Sequence, residues 1–143
     1  MKYENTIVDI KNFQHVINEL QNNPDEYDEL ILSLKMTKSS QSLTLVTKHL
    51  VEILRDRQKN LKRIELDGFP LGGEIFAILS EICSKHQNVE DLRVNQEPIG
   101  SSKVFALNGV TLFPDMQSKI VAALKANQSR NSSKTKSQPF KAL

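Results

Sequence analysis

Three histidines, one cysteine and a glycine pair are the residues of this chain whose types could do chemistry. His15 and His49 each stand twelve residues before a recurring apolar position, Tyr27 and Leu61, which would set them side by side on neighbouring helices. Two imidazoles without a third ligand make a poor metal site, so the pair reads as part of a solvated helix face. His86 falls at a helix end, where positive charge is favourable. Cys83 follows Ile82 in an apolar-periodic stretch, and a lone helical cysteine behaves as a small hydrophobe. Leu71-Gly72-Gly73 lacks the Gly-Lys-Ser/Thr that would make a phosphate loop, and neither Gly-x-Ser-x-Gly nor His-Glu-x-x-His occurs. The expectation is therefore a chain that is not an enzyme, with no catalytic residue, no metal and no cofactor.

The elements that would carry these side chains are set by apolar spacing. Residues 5–10 read as a short strand or an extended lead-in, with Asp9 a fair N-cap for the first helix. Phe13, Val16, Ile17 and Leu20 then fall at i, i+3, i+4 and i+7, one face of an amphipathic helix that Asn22-Asn23-Pro24 ends. Tyr27-x-x-Leu30-x-Leu32-x-Leu34 alternates as a strand buried on one side should. A second helix is expected over about Leu43 to Arg57 and a third from Glu74 to Lys85, with Gly68-Phe69-Pro70 and Gly72-Gly73 as breakers between strand and helix. Further on, Val104 to Leu107 and Val110 to Phe113 flank Asn108-Gly109, the strongest short hairpin signal in the chain. Pro114 opens a last helix over about 115–126, with Met116, Ile120, Val121 and Leu124 on its apolar face.

One segment is written twice, 28 residues apart: Leu61-x-x-Ile64-x-Leu66 with Leu71, then Val89-x-x-Leu92-x-Val94 with Ile99. The helices keep the same register. Leu20, Leu54 and Ile82 lie seven residues before Tyr27, Leu61 and Val89; Val16, Leu50 and Ile78 lie eleven before; Phe13, Thr47 and Ile75 lie fourteen before. Shared offsets of this kind mean that each unit presents the same side chains to its neighbours. Tyr27 to Leu61 is 34 residues, and the surplus fits the polar loop from Lys35 to Ser42.

Totals bound the rest. The chain has 143 residues, 38% of them apolar, which suits one soluble domain with a single core. Aromatics are 6% and Trp is absent, so that core must be mostly aliphatic. No apolar run approaches a membrane span, the first residues begin no cleavable signal peptide, and one Cys suits a reducing compartment. Net charge is +2, but six basic residues and no acid follow Asp115, leaving −4 on residues 1–115.

The L-x-x-L-x-L cores at this period resemble leucine-rich repeats, closest to the ribonuclease-inhibitor type, over about residues 13–99. The resemblance implies an α/β fold: a short right-handed solenoid with parallel strands on the concave side, helices on the convex side and capping segments at both ends. Its parts would be an N-terminal cap at 1–23, repeats over 24–100, a hairpin-and-helix cap at 101–127, and a disordered basic tail at 128–143. The family usually has Asn, Cys or Thr three residues after the last strand leucine, where this chain has Lys35, Phe69 and Glu97. That departure leaves a plain two-layer α/β domain open.

What the resemblance implies about function is protein binding by the inward-facing strand positions and adjoining loops. Small lysine- and asparagine-rich members look like the leucine-rich repeat effectors that intracellular bacteria secrete into host cells, some of which bind and restrain an enzyme. Location would then be cytoplasmic, or a host cell after export. Counting alternation from the buried leucines gives the exposed set: Glu29, Ile31 and Ser33; Arg63, Glu65 and Asp67; Asp91, Arg93 and Asn95. Successive rows would lie about 4.8 Å apart, so Glu65 faces Arg93 and Arg63 faces Asp91. This set reads either as a mixed-charge docking face anchored on Ile31 or as cross-strand ion pairs each contributing roughly 0–1 kcal/mol. The alternative function is a nucleic-acid or acidic-surface binder acting through the basic tail; its sparse charges and lack of aromatic interleaving favour a protein partner instead.

Overall fold

A computed structural model describes residues 1–36, 41–99, 106–107, 110–111 and 113–141. The expectations for the loop at 37–40 and for the turn at 108–109 lie outside the described residues. The elements run β1 (Lys2–Ile7), α1 (Ile10–Asn22), β2 (Glu29–Leu34), α2 (Gln41–Arg57), β3 (Arg63–Asp67), α3 (Gly73–Lys85), β4 (Asp91–Val94), β5 (Glu97–Pro98), β6 (Ala106–Leu107), β7 (Val110–Thr111) and α4 (Pro114–Lys141).

Strands β1 to β4 are parallel and neighbour one another in chain order, and β5 adds antiparallel to β4. A helix connects each parallel strand to the next, and consecutive helices pack together. Along β2, β3 and β4 alternate residues are buried: Leu30, Leu32 and Leu34; Ile64 and Leu66; Leu92 and Val94. They join Phe13, Val16, Ile17, Leu20, Leu50, Leu54, Ile75, Leu79 and Ile82 from the helices in one core. The intervening strand residues are only partly covered. The result is a two-layer α/β arrangement with helices on one sheet face and, among the described residues, the other face open.

The offsets read from the sequence reappear as equivalent burial. Tyr27, Leu61 and Val89 are all buried, as are the helix positions seven, eleven and fourteen residues before them. At the fourteenth, Thr47 replaces an apolar side chain and its Oγ1 donates to the Leu43 carbonyl at 2.8 Å, so the hydroxyl is satisfied inside its own helix. One backbone bond also repeats just before each strand: Asp28 N–H to Met1 O (2.9 Å), Lys62 N–H to Asp28 O (2.7 Å) and Glu90 N–H to Lys62 O (2.8 Å). The longer first interval therefore leaves the stack undisturbed.

β1 sharpens the reading of the N-terminus. It starts earlier than the stretch at 5–10 and is a full member of the sheet, with Lys2 opposite Glu29, Glu4 opposite Ile31 and Thr6 opposite Ser33. The amphipathic signal is weak because Tyr3 and Asn5, rather than aliphatics, take the inward positions. The Tyr3 ring packs tilted against Tyr27 at 5.1 Å, and its hydroxyl accepts from Asn5 Nδ2 at 3.3 Å. Asp9 caps α1, accepting from Asn12 N–H at 2.7 Å.

Where the loop asparagines of the resemblance are missing, Phe69 is buried with its ring edge-on to Phe13 at 5.9 Å. Polar ties appear elsewhere, at the C-terminal ends of the helices. Gln58 Nε2 donates to the carbonyls of Leu20 (2.7 Å) and Asn23 (2.8 Å). Asn127 Nδ2 sits among those of Val89 (2.8 Å), Cys83 (3.0 Å) and His86 (3.3 Å). His86 holds the same place before Val89 that Gln58 holds before Leu61, and it bonds the Arg55 backbone. All three are buried. A helix end leaves carbonyls without intrahelical partners, and in each unit a side chain from the next one satisfies them.

β6 and β7 pair antiparallel, Ala106 with Thr111 and Leu107 with Val110. Phe113 then takes a left-handed backbone (φ 52°) and stacks on Phe76 at 5.7 Å. The expected helix end near 126 is corrected: α4 continues to Lys141. No Gly or Pro interrupts it between Pro114 and Pro139. Its polar side chains continue the docking, Gln128 Nε2 on Glu90 O at 2.6 Å and Asn131 Nδ2 on Gln87 O at 3.3 Å.

Candidate protein-binding face

The open sheet face gathers the exposed set into rows that run across the parallel strands. The first is Lys2, Glu29, Arg63 and Asp91; the second is Glu4, Ile31, Glu65 and Arg93; the third is Thr6, Ser33 and Asp67. Glu65 faces Arg93 and Arg63 faces Asp91, as alternation predicts. Lys2, Glu4 and Thr6 are members that sequence reasoning missed, because recognising β1 as a strand was their only signal.

Asn95 departs from the row. With Gln96 it forms the two-residue turn from β4 into β5, both at positive φ (51° and 67°), the geometry of a type I′ turn. Its Oδ1 accepts from Gly68 N–H at 2.9 Å, so this carboxamide fastens the β3 end to the turn and does not lie on the open face. Gln96 Nε2 reaches Asp67 at 3.5 Å.

The cations of the face are neutralised within it. Arg63 bridges Glu65 (3.1 Å) and Asp91 (3.7 Å), Arg93 meets Asp91 (3.1 Å), and Lys2 lies 3.6 Å from Glu4. Such half-exposed pairs each contribute roughly 0–1 kcal/mol, so they order the surface more than they stabilise the fold. Ile31 stands between Glu4 and Glu65, half-buried and apolar.

The chemically suggestive residues of the sequence lie on the helical layer, away from this face. His15 and His49 are exposed on α1 and α2. Cys83 is buried, and desolvation alone pushes its thiol pKa up to about 12, which leaves it a poor nucleophile at neutral pH. Burial holds the His86 pKa below the ordinary imidazole value against the opposing effect of the Arg55 backbone bond, and its Nδ1 has no hydrogen-bond partner. Tyr27 is raised well above the usual phenol range by burial and by its 2.7 Å hydrogen bond to Glu19. On the outer surface, Lys85 and Arg55 hold the Glu81 carboxyl below its usual pKa. Among the described residues no three His, Cys, Asp or Glu side chains converge as metal ligands, and no helix is long and apolar enough to cross a membrane.

No known protein family, curated protein or solved structure matches the chain.

Proposed function

We propose that the chain is a short leucine-rich-repeat module that binds another protein on its open sheet face. In this reading the successive strand–helix units form a right-handed solenoid, and the strand face is its concave side. The observation that carries the proposal is the half-buried Ile31, an isolated apolar side chain amid charged neighbours on a sheet face that no element of the described chain covers. Interface energy concentrates in a few central contacts surrounded by polar ones, and this arrangement suits that division. The strand order, the recurring buried positions and the repeated backbone bond support the repeat reading. Regulation of a partner enzyme by occlusion is the role we assign to such a surface, and we assign the chain no catalytic role of its own.

Affinity capture tests this with the full chain, Ile31→Lys, Ser33→Lys, and a chain ended after Ser132. The cut falls there because Asn127, Gln128 and Asn131 hold the end of α3. We expect a stoichiometric partner retained by the wild-type and shortened chains and weakened at least about tenfold by either substitution, with thermal stability unchanged. Capture of nucleic acid that is lost on shortening would instead favour the basic C-terminal segment as the binding element. Equal loss of stability and binding in both substitutions would sink the proposal.

A further inference from the structure

The same face carries information about the chemistry of its partner. Five carboxylates lie on it, Glu4, Glu29, Glu65, Asp67 and Asp91, against the three cations Lys2, Arg63 and Arg93. Each cation is already paired with a carboxylate of the face. Two acids remain: among the described residues Glu29 has no ion pair, and Asp67 has only the amide of Gln96. They straddle Ile31. Glu29 precedes it by two positions on β2, and Asp67 lies beyond it, opposite Ser33 on β3.

Resting on the docking reading above, we infer that the face accepts a basic extended segment of a partner protein. One apolar side chain would sit on Ile31, with a lysine or arginine two positions to either side. The warrant is charge complementarity with matching spacing. Alternate residues of an extended chain are about 6.6 Å apart, and Glu29 to Asp67 spans roughly 14 Å on the sheet, close to four extended residues. An acidic segment would meet the surplus carboxylates, and like charges placed together at an interface are strongly disfavoured. A purely apolar one would leave Glu29 and Asp67 desolvated without partners.

Selection of displayed random peptides against the full chain tests this, with Glu29→Lys/Asp67→Lys as the counter-target and far-UV melting to establish that the variant folds. If it does not fold, Glu29→Gln/Asp67→Asn takes its place. The expected result is a set of face-dependent peptides with basic residues flanking an apolar one at a spacing of two. Their affinity should fall at least about tenfold on the variant and weaken with added salt. Face-dependent peptides lacking that pattern would overturn the partner chemistry while the docking face stands. Peptides indifferent to the variant would overturn both. Sedimentation of the unliganded chain runs alongside: a dimer abolished by the same substitutions would make a second copy the occupant and overturn the inference.

Discussion

Gly68 sits at the end of β3 with φ near +80°, and a Cβ built there would lie 2.4 Å from the Leu34 carbonyl oxygen. Both the backbone conformation and the close approach require glycine. Gly68→Ala should therefore cost about 2–3 kcal/mol, read from chemical denaturation; a loss well below this would mean that the β2 carbonyl yields easily. Gln96 is the opposite case, a non-glycine residue at φ 67° in a turn that favours glycine at this place. Gln96→Gly should raise stability by up to about 1 kcal/mol, measured the same way. No gain would show that the Gln96 contact with Asp67 offsets the backbone cost.

At the scale of elements, side chains from the next unit tie down each helix end. Gln58 and Asn127 are buried, and each donates to carbonyls at the end of a preceding helix. Gln58→Leu or Asn127→Leu keeps the volume and deletes the donor, so each should destabilise by about 1–3 kcal/mol. A double substitution should add nearly in full, because the two ties serve different helices. Thermal or denaturant midpoints of the three variants check both statements. These ties were only partly legible in the sequence. The shared offsets that identified Leu20, Leu54 and Ile82 as equivalent also place Gln58 and His86 together. A buried Gln nevertheless looks like any solvated Gln until the facing carbonyls are known. Asn127 was harder still, since its partners lie at least 38 residues away.

For the whole molecule, the buried His86 links folding to pH. Its folded pKa lies below the usual imidazole value, so the native state binds fewer protons than the unfolded chain. The associated stability is complete above about pH 6.5 and is lost as pH falls toward the lowered folded pKa. The groups that act on it are Lys59, which opposes protonation, and Asp25 and Asp56, which favour it. Denaturation at pH 7 and pH 5 should show wild-type stability falling over this interval, and His86→Gln should remove most of that slope. Gln is the residue that the preceding unit carries at the same place. A slope unchanged in the variant would assign the pH dependence to other groups.

The sequence by itself determined the units and their phase. Apolar residues repeating at 28 and 34 with common helix offsets permit one stacking register, because a one-residue slip would turn every strand leucine to the open face. The alternation along β2, β3 and β4 likewise named most of the open face, since strand periodicity is local. Only the tertiary structure decided the rest. It admitted β1 to the sheet through Tyr3, Asn5 and Ile7, placed Asn95 in a turn, seated the helix-end amides on their carbonyls, and carried α4 past Ala126. Each of these depends on what a side chain meets from a distant segment, and periodicity along one segment contains no record of that.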